Sequence, residues 1–359
     1  MEIEIGEALE RSDLLFIDVR SPDEYKEASI PGAVNIPLFD NREHRQVGII
    51  FHQLGETEAR RAALEIVAPK LTSLVDKIVK TSGTKTPLLY CRQGGMRSLS
   101  LYEVLRLTGI TALRLKKGYK AYRSYINKKL ASYVLNSKLF VLHGLTGVGK
   151  TAVLKILAER GYPIIDLEGL ANHRGSVFGT IGLYGKRSQK DFDALLLQEL
   201  DRFSGKEFLF IEGEGRRIGD IYLPLFLTKA MDCGYQILLT APLETRVNRI
   251  IETYIPTVIN DHLRQELKAA LESLRKRLGN KKTEQLHLML NKGDYRNIAR
   301  IMCTDYYDLL YNDSKHEYSQ FDGIVDAENP EFAADKIIVL TERIIPAGNH
   351  NRVAVYQNI

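Results

Sequence analysis

The stretch Thr86–Ser98, TPLLYCRQGGMRS, decides the reading of the first part of this chain. Leu88–Tyr90 is a short apolar run that ends at Cys91, and a helical pattern starts at Leu99. A strand that delivers a cysteine into a tight loop at a helix N-terminus lowers a thiol pKa, because loop N–H groups and the helix dipole both favour an anion there. Gly94 and Gly95 allow the left-handed turns that aim those N–H groups inward, and Arg97 adds a fixed positive charge. Arg92, Gly94, Gly95 and Arg97 thus form an expected cradle for a thiolate, a persulfide or an oxyanion on Cys91. A lone cysteine is more often a buried packing residue, but the Gly-Gly, the Arg and the strand-loop-helix context argue for chemistry.

Working outward, Leu14–Val19 reads as a buried strand. A short helix follows, with Ser21 as N-cap, Pro22 as first residue and Glu24 in the first turn. Asp18 and Arg20 are read as ties within this loop, and Ile30–Pro37 as a loop with a short strand. The text DVRSPDEY with SIPGAVNIP resembles the opening of rhodanese domains, and the Cys91 loop resembles the rhodanese active loop. Arg97 stands six residues after the cysteine rather than five, a length more similar to the phosphatase and arsenate-reductase relatives, and it implies a roomier cradle. Ser29 stands where the family often has His.

Asn41–Gly55, NREHRQVGIIFHQLG, is polar, basic and aromatic, and suits either a solvated loop or a substrate-binding insertion. Glu56–Lys80 carries Leu64, Val67, Leu71, Leu74, Val75 and Ile78 at helical spacing. In Leu113–Leu130, basic residues alternate with Tyr119, Tyr122 and Tyr125. The tyrosines are expected in the core, which leaves Lys116, Lys117 and Lys120 as candidates for nucleic-acid phosphates.

A second strand, Lys138–Leu142, leads into His143–Thr151, HGLTGVGKT, and a helix from Ala152. This is the Walker A pattern in its strand-loop-helix context. Gly144, Thr146, Gly147, Gly149, Lys150 and Thr151 are expected to wrap a diphosphate, and Thr151 to reach a Mg ion if one binds. Tyr162–Asp166 reads as the next strand, Leu167–Gly175 as a loop, and Phe208–Ile211 as a strand ending in EGEGRR. Asp166, Glu168, His173, Arg174, Glu212 and Arg216 are the expected supporting residues, with an acidic side chain where a P-loop fold keeps its metal-orienting carboxylate. Ile237–Thr240 continues the alternation of strands and helices, which implies a doubly wound parallel sheet. Ile259–Leu290 reads as helical and charged; Arg275, Lys276 and Arg277 form either a solvated face or a tRNA-facing one.

The fold expected is therefore α/β: a rhodanese-like domain over residues 1–130, then a P-loop NTPase-like domain over 131–359 with a helical insertion near 259–312. With 359 residues, 44% hydrophobic, the chain has ample core for both. A net charge of +5 permits a polyanionic partner without requiring one. Three sparse cysteines argue for a reducing compartment and against a disulfide framework or a thiolate zinc site. The opening MEIEIGEALERSD lacks the apolar core of a signal peptide, and no apolar run is long enough to cross a bilayer.

The order of the two motifs, with LEGLANHRGS (Leu167–Ser176), EGEGRRIG (Glu212–Gly219) and YYDLLY (Tyr306–Tyr311), resembles the tRNA 2-selenouridine synthases over nearly the whole chain. That resemblance implies a cytoplasmic transferase that replaces the sulfur of wobble 2-thiouridine with selenium from selenophosphate, through an S-geranyl intermediate made from geranyl diphosphate. It implies Cys91 as the catalytic cysteine and the P-loop as holder of the prenyl diphosphate rather than ATP. It further implies tRNA as partner, a selenophosphate-supplying enzyme as a second one, and neither DNA nor membrane. Two readings from other classes stay open at this point: an ATP-dependent kinase or sulfurtransferase acting on a small molecule, and a sensor with Cys91 as switch.

Overall fold

The computed structural model describes residues 1–183, 185–256, 260–312 and 321–345. Ile259, the expected start of the helical segment, lies outside them. The chain divides into two compact units. The first comprises Met1–Ser132 with Ser188–Leu197, and the second Tyr133–Arg187 with the chain from Gln198. The expected division at 130/131 therefore omits one feature. Residues 188–197 belong to the first unit, where the Asp193 carboxylate pairs with Arg123 at 3.0 Å and Asp191 accepts from the Ser29 N–H.

The first unit is a five-stranded parallel sheet. Its strands run in the order Glu2–Ile3, Leu113–Leu115, Thr86–Tyr90, Leu14–Asp18 and Val34–Asn35. Continuous apolar runs such as LLFI and PLLY suit a sheet covered on both faces. Ile17, Val19, Leu89, Ile78, Leu101 and Leu105 form the core on one side. Asp18 and Arg20, both buried, pair at 2.6 Å, and Arg20 also donates to the Ala28 carbonyl. The Ser21–Glu24 capping box forms as its spacing predicts.

Asn41–Leu54 is not a loop but a helix. Asp40 and Glu43 close a reciprocal capping box at its start, and Gly55 ends it at φ 89°. The helices Glu56–Val67 and Leu71–Ser82 follow, with Leu64 turned to solvent. Tyr119 and Tyr122 are core residues, as their place in the closing helix Gly118–Ala131 predicts.

The second unit holds a parallel sheet in the order Gly323–Asp326, Tyr235–Thr240, Lys138–His143, Phe208–Glu212 and Ile164–Ile165. Phe140, Phe208 and Phe210 pack edge-on and tilted between the sheet and the helices Lys150–Glu159 and Pro330–Ile344. The strand expected over 162–166 shrinks to two residues. Asp166 leaves it to cap a short helix, Leu167–Ala171, by accepting from the Gly169 N–H at 2.7 Å, so the start of the expected loop is helical. The helices Asp261–Ser273, Arg275–Leu278, Asn280–Lys292 and Tyr295–Met302 form a separate apolar cluster around Leu263, Leu271, Leu286, Leu290 and Met302. A π-helical turn, Cys303–Tyr307, continues it.

Candidate active site

In the first unit Cys91 follows directly on the strand Thr86–Tyr90, at the carboxyl edge where parallel sheets carry their sites. It is 3% exposed, and its Sγ lies 3.3 Å from the Ser98 Oγ. The loop is held from outside by backbone. The Tyr119 N–H donates to the Cys91 carbonyl at 2.9 Å and the Lys120 N–H to the Arg92 carbonyl at 3.0 Å. Arg114 Nη1 donates to the Gly94 carbonyl at 2.9 Å. Gly94 takes the left-handed turn expected of it, φ 68°, but Gly95 does not: at φ −87° it is ordinary backbone before the helix Met96–Leu107. The glycine the loop needs as well is Gly118, at φ 54°, where a Cβ would stand 2.1 Å from the Cys91 carbonyl oxygen. In the sequence it stands in KKGYK.

Arg97 is not the bare charge its position suggests. Its guanidinium pairs with Glu24, Nη1 at 2.5 Å and Nη2 at 3.3 Å. Burial works against an ionised Glu24, but the Arg97 hydrogen bond and charge, with the Ser21 N–H, hold its carboxyl at about 2. His44, from the helix Asn41–Leu54, sits 3.7 Å from the same carboxylate, and burial keeps it below its ordinary value despite that neighbour. Ser98, Glu24 and His44 were missed as site residues; Glu24 had been explained already by the capping box. Arg92, Lys117 and Lys120 are exposed, and Lys116 pairs with Glu4 at 2.6 Å.

In the second unit the loop Gly144–Gly149 has the three left-handed glycines a phosphate cradle requires, Gly144, Gly147 and Gly149. Their hydrogens face close neighbours: a Cβ on Gly147 would meet the Arg246 carbonyl at 2.8 Å, and one on Gly149 the Arg249 guanidinium at 2.9 Å. Those two arginines, absent from the expected site, brace the loop. Buried Arg246 donates to the Thr146 carbonyl at 2.9 Å and pairs with Asp308 at 2.6 Å; Arg249 donates to the carbonyls of Val148 and Ala327. Lys150 Nζ lies 3.2 Å from the Gly144 carbonyl.

Thr151 Oγ1 donates to Glu212 at 3.0 Å, and the Glu168 N–H donates to the other Glu212 oxygen at 3.0 Å. Glu212 is fully buried. Burial first pushes the Glu168 and Glu212 carboxyls upward, helped by the charge of Glu214 at Glu168 and of Glu168 at Glu212; burial also raises Glu214, against the charge of Lys150. Among the described residues no cluster of three or more His, Cys, Asp or Glu side chains is arranged to hold a metal ion.

An open cavity of about 800 Å³ lies over the loop, lined by Gly147–Thr151, Glu168, Arg174, Glu214, Arg249 and Arg277 among others. Arg174 is fixed there by the Ile181 carbonyl at 2.7 Å and by the Tyr254 ring at 5.0 Å. Three expected members are elsewhere. His173 accepts from the Gly175 N–H at 3.1 Å and is wedged against Gly179 and Gly219, where it shapes the loop. Arg216 is exposed and lines no part of the cavity. Asp166 serves as the helix cap already described. The basic trio splits as well: Arg277 bonds the Tyr306 hydroxyl at 3.0 Å and lines the cavity, Arg275 pairs with Glu272, and Lys276 is exposed. A second cavity of about 60 Å³, with apolar walls, shares Thr146, Ser176, Ile250, Tyr254 and Tyr307 with the first. Among the described residues no helix is long and apolar enough to cross a membrane.

Residues 3–125 match the family model of the rhodanese-like domain, and residues 137–331 match that of the tRNA 2-selenouridine synthase AAA domain. The chain is 31% identical to a tRNA 2-selenouridine synthase of Verminephrobacter eiseniae (strain EF01-2), over 83% of this chain and 88% of that one. It is 35% identical to one of Sulfurovum sp. (strain NBC37-1), over 73% and 75% of the two chains, and 32% identical to one of Pseudomonas syringae pv. syringae (strain B728a), over 78% and 79%. A cysteine loop and a phosphate loop in this order, matched together across most of both chains at about a third identity, leave one conclusion: the chain belongs to the tRNA 2-selenouridine synthase family.

Proposed function

We propose that this protein is a transferase that converts wobble 2-thiouridine in tRNA to 2-selenouridine with selenophosphate, by way of S-geranyl-2-thiouridine made from geranyl diphosphate. The observation that carries the reading is the pairing, in one chain, of a buried cysteine loop with a complete phosphate cradle. The two loops suit two different steps. Thiocarbonyl sulfur is a poor leaving group, and an S-alkylated one is a good one. In the first step the bond between geranyl C1 and the diphosphate oxygen breaks, a C1–S bond forms, and pyrophosphate leaves with the electron pair. The Gly144–Thr151 cradle, Lys150 and Arg174 stabilise that departing charge. In the second step the selenium of selenophosphate bonds C2 of the base, the C2–S bond breaks to release geranyl thiolate, and water then cleaves the Se–P bond, releasing phosphate; Cys91 and its loop serve this step, with Arg92 and the Arg97–Glu24 pair beside the anionic donor.

The carboxylates pose a physical question, since Glu168 and Glu214 border a cavity meant for a diphosphate. A Mg ion resolves it. Thr151 and Glu212 are a donor pair of the kind Mg takes when substrate phosphates complete its shell, and Thr151 already bonds Glu212. Thr151 and Glu212 would hold such an ion, and it would supply positive charge beside the raised carboxylates and a diphosphate. Reconstitution tests the whole reading. Purified chain, 2-thiouridine tRNA, geranyl diphosphate and selenophosphate are expected to yield 2-selenouridine by nucleoside mass spectrometry. Turnover of ATP without any tRNA would support a small-molecule kinase instead.

tRNA is the polyanionic partner, which also places the work in the cytoplasm, with a selenophosphate-producing enzyme upstream. Lys117 and Lys120 stand beside the Cys91 loop through the Tyr119 and Lys120 backbone bonds, and Lys116, Arg275 and Lys276 are accessible although two of them are paired. Each phosphate contact releases counterions, so Lys117→Ala/Lys120→Ala is expected to weaken tRNA binding several-fold and to flatten its salt dependence by about one to two in log–log slope. Salt titrations of tRNA affinity check it; an unchanged slope assigns these lysines to a solvated face.

A further inference from the structure

We infer that the apolar cavity between the helical segment 261–307 and Ile250, Ile251, Tyr254 and Ile255 is the pocket for the donor's prenyl chain, and that the walls it does not share with the polar cavity set the chain length accepted. The inference rests on the reading of the P-loop as a diphosphate site.

Protein interiors are close-packed, so an apolar cavity of about 60 Å³ among these side chains stands out. This one is not a gap in a core that merely packed badly. It opens beside the phosphate loop, sharing Thr146 of that loop, and Ser176, Ile250, Tyr254 and Tyr307, with the polar cavity. The remaining wall is aliphatic or apolar: Leu267, Leu271 and Leu290 from two helices, and Ala299 and Met302 from a third, line the apolar cavity and not the polar one. A ligand that fills both must carry a polyanionic head and a hydrocarbon tail joined directly. ATP does not, because its base and ribose would bury polar edges against leucines with no partner. A prenyl diphosphate does.

The tyrosines at the junction belong to the same arrangement. The Ser176 Oγ and the Tyr254 hydroxyl are 3.2 Å apart, and the Tyr306 and Tyr307 rings meet edge-on at 5.1 Å. Ser176 and Tyr254 satisfy each other's polar tips and Arg277 bonds the Tyr306 hydroxyl, which leaves the apolar ring surfaces of these tyrosines at the junction. Arg246 ties the phosphate loop to this corner through Asp308. The helical segment thus has an inner face with a task of its own, which the expectation of a tRNA-facing insertion did not include.

Calorimetric titration of the full chain, without tRNA, tests this with inorganic pyrophosphate, dimethylallyl diphosphate and geranyl diphosphate. Burial is worth about fourfold per carbon, so the ten-carbon donor is expected to bind on the order of 10²–10³-fold tighter than the five-carbon one. Leu271→Trp, which adds bulk to a wall of the apolar cavity alone, is expected to bring geranyl diphosphate close to the five-carbon affinity while pyrophosphate affinity stays put. Met302→Ala, which lengthens the pocket, is expected to shift preference toward farnesyl diphosphate. Equal affinity for all three ligands in the wild type overturns the inference and leaves the diphosphate site standing. Wild-type geranyl affinity in Leu271→Trp also overturns it. Should that variant misfold and lose pyrophosphate as well, Met302→Ala decides alone: unchanged chain preference overturns the inference. No pyrophosphate binding by the wild type removes the diphosphate reading and this inference together.

Discussion

Cys91→Ser is expected to abolish selenium incorporation, by at least about three orders of magnitude, while S-geranyl-2-thiouridine accumulates in the tRNA. The thiolate is the reactive form of cysteine, and a serine hydroxyl at the same place, without a base to take its proton, is a far weaker nucleophile. Cys91 has no general base beside it; its near neighbours are the Ser98 hydroxyl and the Gly95 carbonyl. Serine would simply bond these two, so the loop, the Tyr119 N–H bond to its carbonyl and the fold should persist. That isolates the chemistry from the packing. Nucleoside mass spectrometry after reaction with selenophosphate, with tRNA affinity measured in parallel, provides the check. Normal 2-selenouridine in the variant would reduce Cys91 to a packing residue; loss of both products would point to a folding defect instead.

Much of this site was legible because its devices are local. A strand, two glycines and a helix start within thirteen residues mark the Cys91 loop, and HGLTGVGKT marks the cradle, whatever the rest of the chain does. What could not be read is what comes from far along the chain. Gly118 has no local reason to be glycine; it is one because the Cys91 carbonyl stands where its side chain would be. Arg97 looked like a free charge because nothing near it in sequence is acidic, whereas Glu24 lies 73 residues away. Arg246 and Arg249 read as one turn of a basic helix, and only the fold turns that face onto the phosphate loop. His173 and Arg216 erred in the opposite direction. They are chemistry-bearing residue types in loops near the right strands, yet one is wedged among glycines and the other faces solvent. The helix Asn41–Leu54 was obscured by its polar and aromatic composition, though the Asp40–Glu43 box at its start was on the page.

Lys150→Ala is expected to slow geranylation by roughly 30- to 1000-fold, equivalent to about 2–4 kcal/mol of barrier, the cost of removing one preorganised donor from a departing oxyanion. The ammonium sits 3.2 Å from the Gly144 carbonyl, inside the loop proposed to wrap the diphosphate. Its charge also counters Glu168 and Glu214, whose carboxyls burial already pushes upward. Without Lys150 those carboxyls rise further. As pH climbs through the range where they ionise, a diphosphate meets more negative charge, so the variant's deficit should grow from pH 6 to pH 9. Mg at saturating concentration should narrow it again. Lys150→Arg is expected to recover part of the rate, since the charge is restored but a planar guanidinium fits a point-charge site poorly. The second step supplies the control: tRNA that is already S-geranylated should be selenated by Lys150→Ala at the wild-type rate, because that step uses the Cys91 loop. Equal loss of both steps would mean that the two loops do not divide the reaction. Selective loss of the first, with Cys91→Ser losing only the second, would assign each half of the chemistry to its own unit of the chain.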